Sequence, residues 1–138
     1  MNTRPMNAEA IAVVTECTAG SDAGRLTFPQ VVGMLMSAGV ERYHADLCRA
    51  EKTYYLPDGA SLVVAGAKLD ASPTIGFSAA GIDDAVRAVQ AGKLTYEQFC
   101  ARIADAGCVG YHVSLAGRRA VYYGRTGEMH VEMFPGGD

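Results

Sequence analysis

The side chains best suited to chemistry in this sequence are its three histidines and the carboxylates beside two of them. His44-Ala45-Asp46 and His130-Val131-Glu132 each set an imidazole two residues from a carboxylate. Residues two apart in an extended chain project from one face, so each pair shares a surface. Imidazole with carboxylate suits zinc or another divalent ion, and histidine moves protons near neutral pH. With His112 added, the candidate ligand or metal site comprises His44, Asp46, His112, His130 and Glu132. The plainer account is a solvated sheet face, because no metal-ligand spacing signature is matched.

Other groups carry weaker signals. Ser114 shares a face with His112, but no acid accompanies them, which argues against a serine triad. Cys48 continues the alternation of His44 and Asp46, the placement of a thiolate–imidazole pair, although most single cysteines are inert. The doublets Tyr54-Tyr55 and Tyr122-Tyr123 must each turn one ring inward and one outward; Tyr54 and Tyr122 are the candidate stacking rings, with cross-strand aromatic pairing as the competing account. Glu41, Arg42, Glu51 and Lys52 read as solvated pairs around a hairpin. Arg118, Arg119 and Arg125 could grip an anion, but an exposed turn is the simpler reading at a net charge of −3. No glycine-rich loop stands between a strand and a helix, so nucleotide binding of the familiar kinds has no support.

The elements that must position these residues come as a repeat. Ala23-Gly-Arg-Leu-Thr-Phe28 returns as Ala91-Gly-Lys-Leu-Thr-Tyr96, an offset of 68 (27 to 95). Held without a gap from 23 to 64, that offset gives 14 identities in 42 positions, Tyr43-His44 with Tyr111-His112 among them. Thr27-x-x-Gln30 and Thr95-x-x-Gln98 are capping boxes. Apolar residues then recur at helical spacing (Phe28, Val31, Val32, Leu35, Met36; Tyr96, Phe99, Cys100, Ile103, Ala104), and Gly39 and Gly107 supply stops. Helices are expected near 28–38 and 96–106.

After each glycine the period shortens to two. Tyr43, Ala45 and Leu47 point inward, as do Val109, Tyr111, Val113 and Leu115. Further strands are expected near 51–57 and 61–66, and near 118–124 and 128–134, joined by turns at Pro57-Asp58-Gly59 and Arg125-Thr126-Gly127. On this alternation all three histidines fall on the polar face. A helix around Ile82–Val89 and a weaker one over 8–18 precede the two units, and 66–79 crosses between them. Residues 1–6 and 136–138 should be loose. The expected fold is α+β: two pseudo-twofold-related α-α-β-β-β repeats, about 8–66 and 79–135, in one domain spanning 1–138. Their strands form an antiparallel sheet of about six strands with helices packed on one face, or else a partly closed barrel.

Three strings carry a resemblance: Gly39-Val-Glu-Arg-Tyr-His-Ala-Asp46, Glu51-Lys-Thr-Tyr-Tyr55, and Gly127-Glu-Met-His-Val-Glu132 followed by Phe134-Pro135. They look like the YbcV-like bacterial family, domain of unknown function 1398, some of whose members are labelled phage envelope protein. The resemblance runs over nearly the whole chain. It implies no activity, cofactor or catalytic residue.

The bulk properties exclude some classes. At 49% apolar and 20% charged the 138 residues suit a folded domain. A pI near 5.6 argues against nucleic acid as the main partner. No apolar run approaches the roughly 18 residues of a membrane span, and MNTRPMNAEA does not read as a signal peptide. Four cysteines without a Cys-x-x-Cys pair fit reduced thiols in the cytoplasm. Three function classes follow: a non-catalytic ligand- or partner-binding module, with a homodimer or protein partner; a small metal-dependent or acid–base enzyme, its cofactor unspecified; and a phage-associated structural protein.

Overall fold

A computed structural model of the chain describes residues 5–68 and 72–135. The chain order is α1 (Ala8–Asp22), α2 (Phe28–Ser37), β1 (Arg42–Asp46), β2 (Glu51–Tyr55) and β3 (Ser61–Ala65). It continues with α3 (Ala79–Gln90), α4 (Tyr96–Asp105), β4 (Cys108–Ser114), β5 (Arg119–Gly124) and β6 (Met129–Met133). The protein is thus α+β, with four helices and one antiparallel sheet among the described residues.

Both capping boxes form. Thr27 Oγ1 accepts the Gln30 N–H at 3.4 Å while Gln30 Oε1 accepts the Thr27 N–H at 2.8 Å. Thr95 and Gln98 repeat the exchange at 3.2 and 2.9 Å. Each exchange satisfies donors that a helix start otherwise leaves free. Gly107, at φ 91°, closes α4, and a Cβ there would lie 2.2 Å from the Gly76 carbonyl oxygen. Only glycine allows the linker to pack that closely. α1 runs four residues past the expected 18, because Thr18 and Ser21 are buried rather than terminal. Thr18 donates back to the Val14 carbonyl and shares a 2.8 Å hydrogen bond with the Tyr54 hydroxyl. Met6 is buried at 5% exposure, contrary to the expectation of a loose start; the same expectation for 1–4 and 136–138 lies outside the described residues.

The sheet order is β3-β2-β1-β4-β5-β6. It is open, with β3 and β6 as edges, so the barrel alternative does not hold. At its centre β1 pairs with β4, placing His44 opposite His112 and Tyr43 opposite Val113. The Leu47 and Leu115 amides donate to the Val109 and Glu41 carbonyls at 3.1 and 3.0 Å. Odd-numbered residues therefore carry the hydrogen-bonded pairs of this seam. His44 and His112 form a non-hydrogen-bonded pair, the kind whose side chains approach most closely.

All four helices pack on one face. Tyr54, Tyr43, Tyr111 and Tyr122 cross the four inner strands there, neighbouring centroids 5.2, 6.5 and 5.2 Å apart. They meet Val14 and Cys17 of α1, Leu35 of α2, Ile82 of α3 and Ile103 of α4 in one core. Among the described residues the other face carries no helix.

Candidate functional site

The strand registers divide the candidate residues between the two faces. On the helix-free face the central row runs Val63, Thr53, His44, His112, Val121, Val131. The imidazole centroids of His44 and His112 are 4.6 Å apart, and His44 Nε2 lies 2.6 Å from the Tyr123 hydroxyl. Tyr123 comes from β5, one strand beyond β4, and it reaches His44 because Gly110 stands beneath it: a Cβ on Gly110 would lie 2.5 Å from that hydroxyl. Burial pushes both histidines below the usual imidazole range, and for His112 the neighbouring His44 and Arg42 add to the effect. Two adjacent imidazoles so placed favour the neutral state.

Asp46 belongs to the same face but is engaged elsewhere. Its Oδ1 accepts the N–H groups of Cys48 and Arg49 at 2.9 and 3.0 Å, closing the turn into β2. Cys48 is exposed in that turn, and the hydrogen bond of His44 goes to Tyr123 instead. Ser114 accepts the Gly117 N–H at 2.9 Å and so serves the next turn.

His130 and Glu132 do not join this group. Their register partners are Tyr122 and Ala120, both core residues, so the pair faces the helix side at the sheet edge. The expectation that all three histidines share the polar face is corrected by one step of register: a two-residue alternation fixes which residues go together but not which face they take. His130 Nε2 lies 2.6 Å from Glu132 Oε2. α3 brings up Asp83, and the three residues hold ligand atoms within 4.8 Å of one another. Arg87, one turn along α3, pairs with Asp83 at 2.9 Å. Burial and the nearby Asp83 push the Glu132 carboxyl up, while His130 opposes that. Asp83 lies outside the apolar stripe of α3, and no local signal in the sequence ties it to β6. Its side chain is 31% exposed.

The tyrosine doublets split as expected, but with the roles exchanged. Tyr54 and Tyr122 are 1% and 6% exposed and cannot stack on a ligand. Tyr55 and Tyr123 are the accessible rings, Tyr55 lying 3.8 Å beneath the Arg42 guanidinium. The three arginines do not converge. Arg118 lies over Phe134, Arg119 donates to the Gly117 carbonyl and Arg125 to the Pro73 carbonyl.

Lys52 departs furthest from expectation. It is 7% exposed and points to the helix side, its Nζ 4.3 Å from the Tyr96 centroid. Lys52 lies two residues before Tyr54 and shares its face, so the register that buries the Tyr54 ring carries Lys52 inward as well.

Residues 76–133 match the model of a family described as "Protein of unknown function (DUF1398)". The match covers α3 through β6, which includes Asp83, His112, His130 and Glu132 but neither His44 nor Lys52. No curated protein matches the chain.

Proposed function

We propose that the chain is a non-catalytic binding module that pairs with a second copy of itself along strand β6. The supporting observation is the make-up of that edge. The Gly124 N–H donates to the Glu128 carbonyl and the Phe134 N–H to the Arg118 carbonyl, each at 2.9 Å. The even-numbered residues of β6 therefore bond to β5, and the backbone groups of Met129, Val131 and Met133 point to the free side. Their side chains lie on the helix-free face and are 67%, 45% and 52% exposed. An uncovered apolar edge of this kind is a template for strand pairing, and it carries none of the lysines, prolines or bulges that normally blunt one.

The edge is also self-complementary. In an antiparallel pair centred on Val131, Met129 stands opposite Met133 of the partner subunit and His130 opposite Glu132 of the partner subunit. Apolar meets apolar, and imidazole meets carboxylate. The adjoining helix-free face extends the surface with Tyr123, Arg42 and the two histidines and has no lysine, a composition suited to protein contact. The same reading takes the two halves as copies of one α-α-β-β-β unit related by a pseudo-twofold. The support is the 68-residue offset together with the position of His44 opposite its counterpart His112.

Light scattering over a concentration series tests the proposal. The mass should approach that of a dimer at high concentration for the native chain and stay at one chain for Val131→Pro. Proline at an outward-facing N–H leaves the β5–β6 bonds in place but blocks a further strand. A native chain that remains monomeric throughout rejects the reading.

A second reading rests on Asp83, His130 and Glu132. One imidazole and two carboxylates from two elements form a three-ligand set of the sort that leaves an open position on zinc. On this reading the chain is a small metal-dependent or acid–base enzyme. Zinc, nickel or manganese should then raise the melting temperature, and His130→Ala should abolish the rise. No response from any of the three ions rejects it.

A further inference from the structure

We infer that Lys52 is a reactive amine, placed to condense with a small, uncharged aldehyde in the recess between β2 and helices α1 and α4. The site is independent of the β6 edge. Lys52 stands on the helix side of β2, between Ala45 of β1 and Val64 of β3 in register. At 7% exposure it is nearly enclosed, and among the described residues it has no hydrogen-bond or ion-pair partner. Its Nζ lies 4.3 Å from the centroid of Tyr96 and 5.8 Å from that of Tyr43. The side chain lines a small solvent-connected recess of about 30 Å³, walled also by Thr18 and Asp22 of α1, Tyr96 and Cys100 of α4, and Gly66. A lysine enclosed along its length against two aromatic rings, with its amine opening onto the recess, is of the kind that supplies imine-forming amines.

The charges facing the amine decide its state. Burial pushes it below the usual lysine range, opposed by Cys100, Asp22 and Cys17 when these are ionised. Burial also pushes both thiols up, Cys100 to about 11, so they stay protonated at neutral pH. Asp22 alone then favours the ammonium. The flanking rings favour the ammonium too, but a ring face replaces only part of the lost hydration.

The reaction balances without a cofactor. The Nζ lone pair attacks the carbonyl carbon, forming the C–N bond of a carbinolamine while the former carbonyl oxygen gains a proton. Loss of that hydroxyl as water, and of the nitrogen's second proton, leaves the imine. Asp22 is the carboxylate in the recess able to hold and return the proton; its Oδ2 is oriented by the Ala67 N–H at 2.8 Å. Asp22 lines the recess, so a carbonyl compound bearing its own carboxylate is repelled. That selects the neutral aldehyde over the keto acid.

The test uses the native protein with propionaldehyde and cyanoborohydride at pH 7, followed by peptide mass mapping. Lys68 and Lys93, both exposed, are internal controls. Lys52 should be alkylated at least tenfold faster than either, and in urea the three should react alike. A Lys52 that stays unmodified in the folded protein, or reacts no faster than the two controls, overturns the inference.

Discussion

The Tyr123 hydroxyl meets His44 Nε2 at 2.6 Å by crossing over strand β4, and it can do so only because residue 110 is glycine. β5 and β1 are not neighbours in the sheet, so this bond ties together strands that share no ladder. Replacing Gly110 with alanine would set a methyl 2.8 Å from the Ala45 carbonyl oxygen as well as against Tyr123. A backbone oxygen cannot move aside as a side-chain tip can. Gly110→Ala should cost about 1–3 kcal/mol, the usual range for overpacking, read as a lower urea midpoint with an unchanged slope. An unchanged midpoint would show that the seam is looser than described.

The paired imidazoles make stability depend on pH. Both His44 and His112 titrate below the ordinary value of 6.5 in the folded protein. The unfolded chain then binds more protons than the folded one between those values. Their contribution is complete above pH 6.5 and is lost as pH falls through that value toward the folded ones. Both rings are partly exposed, so solvent screening tempers the effect. The melting temperature should fall between pH 7 and pH 5, and His44→Gln/His112→Gln should flatten the slope. A double variant with the native pH dependence would assign the effect to other groups.

The four cysteines should differ sharply toward a thiol reagent. Cys17, Cys100 and Cys108 are buried and Cys48 is exposed. Burial also pushes the Cys108 and Cys100 thiols up to about 11, which lowers their thiolate fraction. One equivalent should react in the native protein and four in denaturant. Fast reaction of a second thiol without denaturant would mean that the core opens readily.

Much of the fold was legible because its signals are local. Thr27 with Gln30 and Thr95 with Gln98 announce helix starts, Gly39 and Gly107 their ends, and the switch to alternation after each glycine announces strands. Pairing of β1 with β4 was not written in any local signal; it depends on which edges of the two meanders meet. The site suffered more. Alternation alone sets His130 on the polar face with His44, but β6 is an edge strand whose apolar residues, Met129, Val131 and Met133, point away from the core. The usual rule, apolar inward, inverts there and carries His130 and Glu132 to the helix side. Asp83 then joins them through tertiary packing alone. Lys52 was misread for a related reason: a charged residue beside Glu51 looks solvated until the register of Tyr54 is applied to it.

The most direct test of β6 as a pairing edge is hydrogen exchange at the Val131 amide, followed by NMR at low and high protein concentration. That N–H points away from β5, so in a single chain it faces water, whereas in the proposed pair it donates across the twofold. Protection that rises with concentration, with the His130 amide protected throughout, is the expected result. A Val131 amide that exchanges at the unprotected rate at every concentration would contradict the account.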